Sequence, residues 1–115
     1  MNVELKDLVV RALEDVKGEA IVCLDISELS DIADFMIVAS GNSNRHVKAL
    51  VESVIGEAKK ADAKPLGVEG LEQSERALID LADVIVHVML PKVRDFYDLE
   101  KLWSMKPGEA EEKIP

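Results

Sequence analysis

The chain has 115 residues, of which 48% are hydrophobic and 32% charged, and its formal net charge at pH 7 is −9. This length predicts one compact domain whose core can form without cross-links, and the single cysteine, Cys23, excludes an internal disulfide and a cysteine-based zinc site. The acidic charge argues against an autonomous nucleic-acid binder, for which a basic surface is typical, but is compatible with a basic protein partner.

The ends and the apolar runs of the chain give no sign of a membrane or of export. The first ten residues mix acids with apolar residues and lack a small-residue cleavage site, which is not the pattern of a signal peptide. No apolar run approaches the roughly 18 residues that a membrane span needs. We therefore expect a cytoplasmic protein with no membrane partner.

Two segments of the first half have the apolar spacing of a helix. Apolar residues at positions 5, 8, 9, 12, 13 and 16 predict a first helix that Gly18 ends. Residues 40–44, Ser-Gly-Asn-Ser-Asn, predict a turn in which Ser43 or Asn44 caps the next helix, and the apolar spacing resumes from Val47 to Ala58.

Short apolar runs predict the strands. Residues 20–26, with Cys23 as a small buried hydrophobe, and residues 35–39 are two of them. A short edge strand is expected within residues 64–70, and residues 77–81 and 84–90 predict an antiparallel hairpin. Pro91 suits the first turn of a last helix, and residues 105–115 have the composition of a disordered tail.

The order α-β-β-α-(β)-β-β-α predicts an α/β (α+β) fold, a small mixed β-sheet with helices mainly on one face. Strand alternation puts Val84, Val86, Val88 and Leu90 on the face that the helices cover. The opposite side, called the mixed face below, carries apolar and polar residues from two neighbouring strands: Arg76, Leu78, Asp80, Ile85, His87 and Met89. An open interaction surface and a half-solvated sheet face are both compatible with this composition.

The residues do not form a catalytic set. His46 and His87 belong to different elements, which is a weak metal signal, and we expect His87 to be satisfied by hydrogen bonds within the sheet. A strand followed by a Ser-Gly turn and a helix start can cradle a phosphate, as in nucleotidyltransferases. Those enzymes also need an Asp-x-Asp pair for metal, whereas Asp80 and Asp83 are three residues apart. We predict no catalytic, cofactor-binding or metal-binding residue, and a nucleotidyltransferase-like, nucleotide-binding enzyme is the alternative.

Five fragments between residues 5 and 104 carry a resemblance to a known family. They are Leu24-Asp25, residues 39–47 (ASGNSNRHV), residues 65–70 (PLGVEG), residues 83–88 (DVIVHV) and residues 96–103 (FYDLEKLW). In order and spacing they resemble the Iojap-like, or ribosomal silencing factor, family. The resemblance implies a nucleotidyltransferase-like fold without catalytic carboxylates, spanning residues 1–104 as one domain.

The resemblance also implies a function. Members dock on the fourteenth protein of the large ribosomal subunit, hinder joining of the small subunit and are often homodimers. The family's ribosome-facing surface corresponds to the mixed face, so Arg76, Leu78, Asp80, Ile85, His87 and Met89 are the expected partner-binding residues. One departure stands out, because the family usually has a tryptophan where this chain has Arg76.

Overall fold

The computed structural model describes residues 3–70 and 75–93. These residues form two helices and five strands, in the order α1 (Val3–Asp15), β1 (Glu19–Asp25), β2 (Phe35–Ser40), α2 (Asn44–Lys60), β3 (Gly67–Glu69), β4 (Arg76–Asp80) and β5 (Val84–Met89). Residues 91–93 are helical, as expected for the start of the last helix. The rest of that helix and the tail at 105–115 lie outside the described residues.

The five strands form one mixed sheet, which confirms the predicted fold class. The strand order is β1-β2-β5-β4-β3. β2 and β5 are parallel, and every other neighbouring pair is antiparallel, including the β4–β5 hairpin that the short gap at residues 82–83 predicted. The central strands β2 and β5 are buried along almost their whole length.

Both helices pack on one face of this sheet. Val84, Val86 and Val88 of β5 are fully buried in the main hydrophobic core, as predicted. The helices contribute one apolar stripe each, at the predicted spacing, and its fully buried members include Val9 and Leu50. The main core therefore lies between the helical layer and the valine side of the sheet.

Cys23 is exposed and not buried as its apolar neighbours suggested. β1 pairs with β2 alone and therefore stands at one edge of the sheet. An edge strand buries less of its side chains than a central one, and Cys23 pairs in register with Ile37, which is fully buried in β2. The prediction was wrong because the burial of Cys23 depends on where its strand lies in the sheet. The residues of the run do not reveal that position.

The predicted turn before α2 is held by side chains at both ends. Ser43 is the cap, and its hydroxyl accepts from the His46 N–H at 3.1 Å. The His46 Nδ1 atom accepts from the Asn42 N–H at 2.8 Å, and Nε2 lies 2.7 Å from the Val16 carbonyl oxygen. Because Nδ1 accepts, Nε2 carries the proton and donates to Val16. His46 thus ties the end of α1 to the start of α2.

We expect His46→Ala to lower the free energy of unfolding by about 1–3 kcal/mol, because it leaves the Asn42 N–H and the Val16 carbonyl without these partners. Urea unfolding followed by circular dichroism measures this loss. Lys48→Ala, an exposed position of the same helix, is the matched control and should change stability by under about 0.5 kcal/mol. Equal losses in the free energy of unfolding in the two variants would contradict the role of His46 in linking α1 to α2.

Candidate partner-binding face

The structure brings all six residues of the mixed face together as three directly opposed pairs. Across β4 and β5 the register places Arg76 opposite Met89, Leu78 opposite His87 and Asp80 opposite Ile85. Side chains in directly opposed positions on one face of an antiparallel pair contact each other. The six residues therefore form one continuous patch, as the alternation of the two strands requires.

Exposure divides this patch into two parts. Four of the six residues are partly exposed: Arg76, Leu78, Asp80 and Ile85. His87 is only 6% exposed, and Met89 is completely buried. The part of the mixed face that another molecule can reach directly is thus centred on β4.

Met89 is buried because a second, smaller core lies on this side of the sheet. Its buried members are Ile26, Ala33, Met36, Val38 and Met89, with Val93 packed against them. Residues 26–34, which connect β1 to β2, supply two of these side chains, and the Ile26 N–H donates to the Asp34 carbonyl at 2.9 Å across the base of the connection. This coverage corrects the expectation that Met89 lies on an open face. A carboxylate at Met89 would have to be buried without a partner and would disrupt the fold.

His87 does not have the complete hydrogen bonding expected of it. Its Nδ1 atom is buried and has no hydrogen-bond partner within residues 3–70 and 75–93. Burial lowers the pKa of His87 to about 4, with a smaller contribution from the Arg76 cation, so the ring is neutral at pH 7. An unpaired polar atom in such a place destabilises the fold, which makes His87 the unusual residue of the mixed face.

A cavity opens on the accessible part of the face. It has a volume of about 330 Å³ and is lined by Glu69, Gly70, Arg76 and Leu78. Glu69 reaches it because β3 pairs with β4 in a register that places Glu69 beside Leu78. Gly70 has a φ of 80°, and a Cβ atom there would overlap the carbonyl oxygen of Arg76. The prediction from the sequence did not include Glu69 or Gly70 in the site. Glu69 would have been included if the edge strand had been paired with β4 in the observed register.

Both aspartates of the β4–β5 turn accept backbone hydrogen bonds, Asp80 through its carboxylate and Asp83 through its main-chain carbonyl. The Asp80 carboxylate accepts from the Ala82 N–H at 2.9 Å, and the backbone carbonyl of Asp83 accepts from the N–H groups of Asp34 and Phe35. In the part of the chain that the structure describes, no group of three His, Cys, Asp or Glu side chains is close enough to hold a metal ion.

Several backbone donors of the turn at residues 40–44 already have partners. The Gly41 N–H donates to the Met89 carbonyl at 3.1 Å, the Asn42 N–H to His46, and the N–H groups of His46 and Val47 to Ser43. A phosphate cradle needs such donors to point at the ligand. The geometry therefore favours a capped helix start over an anion site.

Comparison with known proteins identifies the family. The model of the family described as "Ribosomal silencing factor during starvation", RsfS, matches residues 2–115. A Chromobacterium violaceum protein named ribosomal silencing factor RsfS is 51% identical over 108 residues, which cover 93% of this chain and 88% of that protein. The chain belongs to the ribosomal silencing factor family, whose general role is ribosome silencing.

Two further similarities bear on the fold and on the breadth of the family. A crystal structure of a Chromobacterium violaceum protein superposes with a TM-score of 0.89 at 49% identity, covering 92% of this chain and 88% of that one. A more distant mouse relative, 28% identical over 87% of this chain and 45% of its own length, is named mitochondrial assembly of ribosomal large subunit protein 1.

None of the helices within the described ranges has the length and apolar character needed to cross a membrane.

The low pKa of His87 makes stability depend on pH. The folded state disfavours the protonated ring, so unfolding takes up a proton between pH values of about 6.5 and about 4. The contribution of the neutral His87 ring to the free energy of unfolding is fully present above pH 6.5 and is lost as the pH falls towards about 4. Between pH 7.5 and 4.5 we expect His87 to account for a loss of about 2–3 kcal/mol in the free energy of unfolding.

Urea unfolding at these two pH values, on the wild-type chain and on His87→Leu, measures the contribution. The two proteins differ at position 87 alone, so the difference between their losses isolates the contribution of His87. Losses of equal size in the two proteins would show that His87 is not protonated on unfolding in this range.

Proposed function

We propose that the protein represses translation by binding the large ribosomal subunit through its fourteenth protein and sterically blocking the joining of the small subunit. The observation that carries this proposal is the accessible part of the mixed face, where Arg76, Leu78, Asp80 and Ile85 form one patch on a rigid sheet in a member of the silencing family. Apolar residues within a polar rim are typical of a protein–protein interface.

Charge supports a basic protein as the partner. The net charge of −9 steers the chain towards a positive surface and raises the rate of encounter. Among the described residues at the patch, Glu69 and Asp80 stand beside Arg76, and Lys92 lies 3.5 Å from the Glu75 carboxylate. The charge balance of these described residues is slightly acidic, which suits a basic protein better than the phosphates of RNA.

The proposed mechanism is occupancy without catalysis. The Asp80 carboxylate and the turn before α2 have structural hydrogen bonds, and the mixed face offers a contact surface. Further parts of the proposal are a cytoplasmic location, a homodimer in the free state and a single domain over residues 1–104. The alternative, a nucleotide-binding transferase, would be revealed by calorimetry with nucleoside triphosphates and Mg²⁺.

We expect the chain to co-sediment with isolated large subunits and not with small ones, and Leu78→Glu to abolish this binding without unfolding the chain. Leu78 is partly exposed, so its carboxylate stays solvated in the free protein but must lose water at the interface. Pelleting through a sucrose cushion followed by immunoblotting measures the bound fraction.

The matched control is Leu66→Glu. Leu66 is 73% exposed and lies immediately before β3, and it is not one of the six residues of the mixed face. The same substitution is thereby made at an exposed leucine outside that face. Binding to small subunits alone, or equal binding by wild type and Leu78→Glu, would refute the proposed face.

We expect Arg76→Ala to weaken large-subunit binding about fivefold or more, a free-energy change of about 1 kcal/mol. The neighbouring acids offset its charge, and its flat guanidinium group can spread over the partner in place of the family's tryptophan ring. Arg76→Trp should then bind at least as well as wild type. Titration with labelled subunits measures the affinities, and tighter binding by Arg76→Ala would show that Arg76 repels the partner.

A further inference from the structure

The cavity on the mixed face lies next to His87, which has a buried atom without a hydrogen-bond partner among the described residues. Leu78 lines the cavity and stands directly opposite His87 across the two strands. His87 is 6% exposed, and its Nδ1 has no partner in the described residues. A cavity and an unsatisfied polar group are thus separated by one leucine side chain.

The neighbours of His87 on this face differ in burial. Val38 of β2 and Met89 of β5 are fully buried, whereas Leu78 and Ile85 are partly buried, and of these four residues Leu78 alone lines the cavity. Leu78 is only partly buried, and a leucine at the rim of a cavity can change rotamer at small cost. A group seated in the cavity therefore approaches His87 across Leu78.

The walls of the cavity favour an electrically neutral occupant. Glu69 contributes a negative charge and Arg76 a positive one, while Leu78 is apolar. A cationic side chain gains from Glu69 but is opposed by Arg76, and the reverse holds for a carboxylate. An uncharged aromatic ring gains favourable contacts with both the apolar surface of Leu78 and the guanidinium cation of Arg76, because a cation attracts the face of an aromatic ring.

We propose that this cavity receives a tyrosine side chain of the protein partner, with the ring on Leu78 and beside Arg76 and the hydroxyl hydrogen-bonded to His87 Nδ1. This inference rests on the proposed function, since it assumes that a protein docks on the mixed face. A phenol both donates and accepts, so it pairs with Nδ1 in either tautomer of the neutral ring, whereas tryptophan can only donate. Tyrosine is also among the side chains that most often anchor interfaces.

The cavity can be tested without the ribosome. The full chain, labelled with ¹³C and ¹⁵N, is titrated with N-acetyl-tyrosinamide and, in parallel, with N-acetyl-phenylalaninamide, which differs only in the missing hydroxyl. We expect both amides to shift the Leu78 methyl signals, and the tyrosine amide to bind about 3- to 10-fold tighter, the range of one hydrogen bond. Only the tyrosine amide should move the His87 Nδ1 resonance.

A variant and a charged probe sharpen the result. In His87→Leu the difference between the two amides should vanish while the Leu78 shifts remain. If that variant does not fold, the comparison of the two amides on the wild-type chain still decides. Equal affinity of the two amides, the absence of saturable shifts at Leu78, or tighter binding of N-acetyl-lysinamide would each overturn the proposal.

These outcomes are independent of large-subunit binding. Sedimentation with large subunits can succeed while the amide titration fails, in which case the protein docks without a tyrosine in this cavity. A successful titration with failed sedimentation would leave the cavity a tyrosine site but reject the ribosomal partner.

Discussion

The parallel pairing of β2 with β5 in the middle of the sheet determines which side chains can reach a partner. Successive residues of a strand point to opposite faces. Once Val84, Val86 and Val88 are buried against the helices, His87 and Met89 must lie on the mixed face. A shift of one residue would exchange the two sets and expose the valines, so the register is strongly determined. The position of the candidate site is thus a consequence of core packing.

The connection between β1 and β2 then decides how much of that face is open. It folds back over β2 and buries Ile26 and Ala33 against Met36 and Val38. Among residues 3–70 and 75–93 the mixed face is therefore closed over β2 and open over β4, where the cavity lies. A partner that docks here contacts a narrow patch supported by a stable secondary core, and such support keeps a binding surface rigid.

Local periodicity was enough to predict the helices, the hairpin and the two faces of β5, because helical spacing and strand alternation are properties of short segments. The exposure of individual residues depends on distant segments and was predicted less well. Met89 is buried by residues 26–34, which the sequence indicates only as a polar connection, and Cys23 is exposed because β1 is an edge strand. Glu69 joins the site through the register of β3, a pairing that three residues are too few to reveal.

The Nδ1 atom of His87, which has no partner in the part of the chain that the structure describes, is easier to explain in a binding protein than in a domain whose residues serve stability alone. Leaving a buried polar group unpaired costs about 1–3 kcal/mol, and an apolar side chain of similar size would avoid that cost. Within the described residues the ring is also not part of a group of three side chains that could hold a metal ion. A group that destabilises the free protein can still be favourable if a partner completes its hydrogen bond, because the penalty then disappears only in the complex and contributes to discrimination between partners. Under the function proposed above, the unpaired Nδ1 atom of His87 would help the mixed face to distinguish its partner from other basic surfaces.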